Sequence, residues 1–125
     1  MRNIVTTSAV PTPVGPYSQA VRANGFIFAS GQIPLDPTTQ EIVRGGIVEQ
    51  TERALRNVAN LLQSAGSGTP KIVRCVVYLK DMADFAAMNE AYARFFGSEP
   101  PARTAIGVVT LPKGALIEIE ATAIE

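Results

Sequence analysis

The apolar positions along the chain repeat with two periods, one typical of helices and one typical of strands. Apolar residues recur at helical spacing over residues 47–65 and again over residues 81–97, where Asp81 is a candidate cap and Gly97 a stop. Asn24-Gly25 between two apolar runs predicts a hairpin. Alternating or β-branched runs predict strands near residues 3–6, 19–23, 26–31, 71–80, 103–110 and 116–123. This order predicts an α+β fold with one domain over residues 1–125.

Two amphipathic helices are enough to cover one face of a sheet of about five or six strands, and the second face then needs another partner. On the last two strands, alternation predicts that Ile106 and Ile117 face the helices. Arg103, Ala105 and Glu118 are then predicted to share the open face. A face that mixes apolar and polar residues is typical of a subunit interface, so we predict a homo-oligomer.

Composition excludes several classes of function. The 125 residues include 11 basic and 11 acidic side chains, so the net charge is zero and neither nucleic acid nor anionic membrane is an expected partner. We find no signal-peptide or membrane-spanning pattern and predict a cytoplasmic protein. The chain has one cysteine, Cys75, and no histidine, which excludes histidine-based catalysis and the usual zinc sites. The acidic residues lack metal-ligand spacing, and we expect no metal.

Arg103 and Glu118 form the main candidate site, because they share a predicted face on two strands joined by a Pro-Lys-Gly turn. An arginine fork matches a substrate carboxylate in two parallel hydrogen bonds. A partly buried glutamate is suited to act as a general base on water. An interface ion pair between Arg103 and either Glu118 or Glu120 explains the same pattern equally well.

Three further places carry weaker signals. Tyr17 lies between proline-fixed turns, where a packing aromatic is the simpler explanation. Ser30 and Gly31 end an apolar strand, where glycine permits a ligand to approach the backbone but also suits a tight turn. Asn89 lies at the margin of the second helix's apolar stripe, where a solvated residue is expected.

With these residues assembled, the chain resembles the RidA family of imine deaminases over essentially its whole length. The matching segments are GPYSQA at 15–20, ASGQIPLDP at 29–37, QTERALRNVANLLQSAG at 50–66, VVYLKDMADFAAMNEAYARFF at 76–96, PPARTA at 100–105 and LPKGALIEIEATA at 111–123. Their order and spacing are far more specific than any one segment.

The resemblance implies a chorismate-mutase-like α+β subunit, with a mixed sheet and two helices packed on one face, assembled as a homotrimer with sites at the subunit interfaces. RidA-like enzymes hydrolyse 2-imino acids such as 2-iminobutanoate and 2-iminopropanoate to 2-oxo acids and ammonia, without a cofactor. Aminoacrylate and 2-aminomuconate enamines are alternative substrates. An endoribonuclease or translation inhibitor, and a non-enzymatic regulator that binds small carboxylates, are the alternative functions.

By resemblance, Arg103 would hold the substrate carboxylate and Glu118 would orient or deprotonate the attacking water, while Glu120 would have a structural role. Tyr17 and the Ser30-Gly31 backbone would line the pocket around the imine nitrogen.

Two other positions acquire a role from the resemblance. Asn89 would reach in from the neighbouring subunit. Ala105 would lie near the substrate, at a position where many family members have cysteine, so a thiol-based function is excluded there and substrate preference is open.

Overall fold

The computed structural model describes residues 1–125 as one six-stranded sheet with two helices. The elements are β1 (Asn3–Val5), β2 (Ala20–Ala23), β3 (Phe26–Gln32), α1 (Ile47–Ser64), β4 (Ile72–Leu79), α2 (Phe85–Phe96), β5 (Ala102–Gly107) and β6 (Ile117–Ile124). The strand order is β1-β2-β3-β6-β4-β5, in which β4 and β5 are parallel and every other neighbouring pair is antiparallel. The predicted mixed sheet with two helices is confirmed.

Both predicted helices are present, and the core lies between them and one face of the sheet. Helix α1 ends just before Gly66, whose φ of 87° suits glycine. The Asp81 side chain accepts from the Ala83 N–H at 2.9 Å and caps a 3₁₀ turn that leads into α2. Gly97, with a φ of 72°, ends α2. The core residues that α1 and β6 bury completely include Ala54, Leu55, Val58, Leu61, Leu62, Ile117 and Ile119.

The predicted hairpin at Asn24-Gly25 joins β2 to β3. Both residues have positive φ, 52° and 83°, as a type I′ turn requires. Ala23 and Phe26 are paired across the turn, so the loop has two residues. Asparagine and glycine adopt this conformation at the lowest cost, which explains the sequence at this point.

The predicted arrangement of the last two strands is wrong. Strands β5 and β6 are not neighbours, because β4 lies between them. Arg103 pairs with Cys75, which is fully buried beneath the helices, so Arg103 faces the helices. Glu118 pairs with Tyr78 on the opposite face, where Ile106 also lies, 42% exposed. The faces of β5 are mispredicted because β5 is an edge strand. Its Ile106 faces outward, and its Arg103 faces inward, where it contacts Asn89 of α2.

The start of β4 also differs from the expected alternation. The register of β4 against β6 shifts between Ile72 and Arg74. Strict alternation over residues 71–80 predicts Val73, Cys75, Val77 and Leu79 on the helix-covered face and Ile72 on the other. Because of the shift, Ile72 is buried and Val73 is 41% exposed. From Cys75 onward the strand keeps the predicted faces, and Cys75 is buried as expected.

The sheet face that lies away from the helices has no cover within the chain. Ile4, Phe26, Phe28, Ile106 and Ile124 are all substantially exposed. Strand register places Ile4 of β1, Phe26 and Phe28 of β3, and Ile124 of β6 on this same face. Phe26 pairs directly with Ile124, and Ile4 and Phe28 both pair with Val21 of β2. Exposed apolar faces of this kind are common at interaction surfaces of other proteins. Neither helix is long and apolar enough to cross a membrane.

Candidate functional site

Arg103 is held by side chains of α2. Its Nη1 donates to Asn89 Oδ1 at 2.8 Å. The guanidinium carbon lies 4.8 Å from the centre of the Tyr92 ring and 5.6 Å from that of Phe85. These contacts fix the plane of the guanidinium by one hydrogen bond and two cation–π interactions. We call Arg103, Asn89, Tyr92 and Phe85 the arginine cluster.

A cavity of about 370 Å³ opens beside the arginine cluster, with Pro100 and Pro101 in its wall. The Nε and Nη2 atoms of Arg103 donate to no acceptor in the chain, and Arg103 forms no ion pair. They are therefore free to bind an anion such as a carboxylate. Ala105 lies on the same face of β5, partly buried at the margin of the core.

Glu118 lies on the opposite face of the sheet, in a second cavity of about 330 Å³. The cavity lining includes Tyr17, Ser30, Gly31, Pro112 and Glu118. A Cβ atom on Gly31 would lie 2.9 Å from the carboxyl carbon of Glu118 and closer still to Oε2. Glycine at 31 is therefore required for the observed position of this carboxylate. We call this group the glutamate cavity.

A bulge in β3 and the loop before β2 shape the glutamate cavity. The register of β3 shifts between Ala29 and Gln32, and this places Ser30 and Gly31 in the irregular part of the strand. The Ser30 N–H donates to the Gln19 carbonyl at 2.9 Å. The Ser30 hydroxyl donates to the backbone carbonyl of residue 18 at 2.7 Å. These bonds tie the strand end to the loop that carries Tyr17.

Gln19 supports this loop and was missed by sequence reasoning. Its side chain is 4% exposed, donates to the carbonyls of Thr7 and Pro11, and accepts from the Thr7 N–H at 2.7 Å. Tyr17 remains 48% exposed, and its hydroxyl accepts from the Val14 N–H at 3.4 Å. No motif marks a buried glutamine of this kind, because its partners are backbone groups distant in sequence.

Burial raises the pKa of Glu118, and the negative charge of Glu120 raises it further. Glu118 accepts no hydrogen bond within the chain, so neither oxygen is committed to the protein. Glu120 instead accepts from the Tyr78 hydroxyl, and this bond raises the pKa of Tyr78 to about 12. Within one chain, Arg103 forms no ion pair with Glu118 or Glu120, the alternative interpretation of the sequence pattern. A carboxylate with a raised pKa and free oxygens has the properties of a general base.

The candidate residues thus fall into two groups on opposite faces of the sheet. Asn89 and Arg103 belong to one group of the same chain, so Asn89 is not a solvated helix residue. Tyr17, Ser30 and Glu118 belong to the other. The resemblance implies that Asn89 reaches into the site from the subunit next to the one that supplies Arg103. In the structure, Asn89 and Arg103 of the same chain are hydrogen-bonded to each other. One chain alone does not present Arg103 and Glu118 to the same small molecule.

No cluster of three His, Cys, Asp or Glu side chains has the arrangement of a metal site. Cys75 is buried near the arginine cluster, and burial raises the pKa of its thiol. Neither cavity thus relies on a metal-ligating set or on a reactive thiol of this chain.

Comparison with known proteins agrees with the fold and the motifs. A family model described as Endoribonuclease L-PSP matches residues 7–125. A RutC family protein of Pyrococcus horikoshii is 51% identical over 123 residues, 98% of each chain. Human 2-iminobutanoate/2-iminopropanoate deaminase is 43% identical over 100% of this chain and 91% of its own length. A solved structure of a Rid family protein from Yersinia pestis has a TM-score of 0.95 at 39% identity and covers 100% of both chains.

These matches extend over nearly the whole chain and include proteins named as imine deaminases, which confirms the resemblance stated from the sequence motifs. The chain belongs to the Endoribonuclease L-PSP family, which includes the RutC and Rid proteins.

Proposed function

We propose that the chain hydrolyses 2-imino acids, such as 2-iminobutanoate and 2-iminopropanoate, to 2-oxo acids and ammonia at sites between neighbouring copies. The observation that carries the proposal is the separation of Arg103 and Glu118 onto opposite faces of the sheet, each beside an open cavity. A site that needs both groups is then completed by a second copy. The name of the human relative supplies the substrate class.

Arg103 binds the substrate carboxylate in this proposal. Its guanidinium is already oriented by Asn89 and Tyr92, so little side-chain entropy is lost when the anion binds. The planar fork favours a carboxylate over an ammonium or a neutral amide. Ala105, two residues along the same face, would set the width of the site on this side.

Glu118 acts as the general base. It removes a proton from a water molecule, whose oxygen attacks the imine carbon to form a tetrahedral carbinolamine. Proton transfer to nitrogen and collapse of this intermediate release ammonia and leave the 2-oxo acid. Tyr17 and the Ser30-Gly31 backbone line the region of the imine nitrogen. A protonated imine is a strong electrophile, so positioning and one base are sufficient without a cofactor.

A homotrimer is the assembly that we propose, with three equivalent sites. The uncovered apolar face of the sheet, which includes Phe28 and Ile124, supports association of copies through this face. The position of β5 at the sheet edge also supports this assembly, because it leaves Arg103 accessible to a neighbouring copy of the chain. The free thiol of Cys75 accords with the cytoplasmic location that we propose.

A coupled assay tests the activity. A pyridoxal-phosphate-dependent threonine dehydratase generates the imine in place, and the rate of 2-oxobutanoate formation is measured with and without the protein. We expect acceleration by the wild type and by Glu90→Gln, a control on the exposed side of α2. We expect none by Arg103→Ala or Glu118→Gln. A wild type that does not accelerate the reaction would refute the proposal, and binding of 2-oxobutanoate without turnover would favour a carboxylate-binding regulator.

The family description supports ribonuclease activity as a second candidate. The zero net charge and the absence of histidine weigh against it, because phosphate-backbone binding depends on basic surface. Cleavage of a defined RNA by freshly purified wild type, abolished in Glu118→Gln, would support the ribonuclease. Equal cleavage by both preparations would identify a contaminating nuclease.

A further inference from the structure

A third cavity with an unusual charge arrangement lies between α1 and α2, outside both groups described above. It has a volume of about 430 Å³, and its wall contains Arg53, Arg56 and Arg94 together with Val43 and Phe95. None of these residues lines the glutamate cavity or the cavity beside Arg103. We call this space the interhelical cleft.

The carboxylates of the interhelical cleft are already engaged elsewhere. Glu49 Oε1 accepts from the Gly46 N–H at 2.9 Å and caps α1. Glu52 Oε1 pairs with Arg94 Nη2 at 3.5 Å. The only other ion pair in the chain joins Arg22 to Glu125. Arg53 and Arg56 therefore have no carboxylate partner.

Arg53 carries an unmet hydrogen-bond requirement. Its Nε atom is buried and has no acceptor within the chain, an arrangement that native proteins normally avoid. Burial lowers the pKa of Arg53, the charge of Asp36 opposes this, and the charge of Arg56 adds to it. Asp36 forms neither a hydrogen bond nor an ion pair with Arg53, and its Oδ1 accepts from the N–H groups of Thr38 and Thr39. The Nη groups of Arg53 also lack an acceptor within the chain but are not buried, so they are the donors that an anion in the cleft can bind.

Arg56 is the second cationic group on the same side of the cleft. It lies three residues after Arg53 on α1, so the two side chains are neighbours on one helix face. Its guanidinium carbon lies 5.8 Å from the centre of the Phe95 ring on α2, which holds it across the cleft. Three arginines and two glutamates line the cleft, and the adjacent guanidinium groups of Arg53 and Arg56 form no ion pair. Such a pair is suited to an anion with two negative charges.

We propose that the interhelical cleft binds a small dianion, a phosphate group or a dicarboxylate, between Arg53 and Arg56. The ligand would accept from the Nη groups of Arg53 and from the Arg56 fork, and the Phe95 ring would form an apolar wall. The cleft, with a volume of about 430 Å³, has room for an anion of this size. The site is independent of the imine hydrolysis proposed above, because it shares no residue with either cavity of that site.

Isothermal titration calorimetry at constant ionic strength tests this inference, with inorganic phosphate and succinate as the two dianion probes and acetate as the monoanion. In the Arg103→Gln background, which lacks the carboxylate site proposed above, we expect one phosphate or succinate per chain and clearly weaker binding of acetate. Arg53→Gln and Arg56→Gln should each weaken binding by about tenfold or more, the loss expected for one charge-assisted hydrogen bond. Tighter binding of phosphate would indicate a phosphate-containing ligand, and tighter binding of succinate would indicate a dicarboxylate.

Two further variants separate this site from others. Arg2→Gln removes an exposed arginine at the chain terminus, and Arg103→Gln disables the proposed substrate site. Arg2→Gln should bind the dianion as the wild type does. Arg103→Gln removes carboxylate binding at the proposed substrate site and should still bind one phosphate or succinate per chain in the cleft, so the outcome is independent of the proposed deaminase. Absence of dianion binding to the wild type, or equal affinity in Arg53→Gln, Arg56→Gln and Arg2→Gln, would overturn the proposal.

Discussion

Arg103 and Glu118 lie on opposite faces of the same sheet, with β4 between the strands that carry them. Arg103 faces the helices and is oriented by Asn89, whereas Glu118 faces away from them and lies over Gly31. A candidate carboxylate-binding cation and a candidate base are therefore both present in one chain but separated by the sheet. In our proposal, association of copies brings the two together.

Asn89→Ala should weaken substrate binding more than it slows the chemical step. The substitution removes the hydrogen bond that orients Arg103, so the guanidinium must be ordered when substrate binds. We expect KM for the imino acid to rise about tenfold, with a smaller change in kcat. Steady-state kinetics in the coupled assay measure both. Asn60→Ala on α1, whose side chain makes no hydrogen bond, is the matched control, and an equal KM in the two variants would contradict the orienting role.

Gly31→Ala should destabilise the protein through a clash with Glu118. The added Cβ would overlap the carboxylate, and displacing a packed side chain costs about 1–3 kcal/mol. The free energy of unfolding from urea titration measures the loss. Gly46→Ala, where a Cβ meets nothing within 4 Å, should have a much smaller effect.

A Glu118→Ala background provides the internal test of this clash. With the carboxylate removed, Gly31→Ala should cost little, so the two substitutions should be strongly non-additive. Equal costs of Gly31→Ala in both backgrounds would show that the contact with Glu118 does not explain the glycine.

The pH dependence of kcat/KM should report the raised pKa of Glu118. Only the ionised carboxylate accepts a proton from water, so activity is present above this pKa and is lost as pH falls through it. The acidic limb should therefore lie above the usual glutamate range. Glu120→Gln removes one cause of the raised pKa and should move the limb to lower pH. The exposed variant Glu90→Gln should leave it unchanged, and a limb unaffected by Glu120→Gln would count against Glu118 as the base.

The sequence pattern correctly predicts the elements that bury one regular face. Helix α1 has an uninterrupted apolar stripe, and β6 alternates strictly, with Ile117 and Ile119 inward and Glu118 outward. The hairpin at Asn24-Gly25 followed from local conformational preference alone. In each case the signal is local and only one packing partner is needed.

The pattern failed where strand pairing and the uncovered face determine the structure. Alternation in β5 is compatible with two orientations, and apolarity predicts that the side with Ile106 is buried. Ile106 is instead exposed on the open face, and Arg103 is accommodated at the sheet edge by the oxygen of Asn89 and the ring of Tyr92. Neither the position of β4 between β5 and β6 nor the register shift at Ile72 has a local signal in the sequence.

Complementation between two inactive variants tests the central claim most directly. Arg103→Ala and Glu118→Gln are mixed in equal amounts, denatured and refolded together, and assayed at the same total chain concentration as wild type. If each site takes Arg103 from one copy and Glu118 from the next, about one quarter of the sites contain both intact residues, and the mixture should show about one quarter of wild-type activity. A mixture no more active than either variant alone would contradict a site shared between copies.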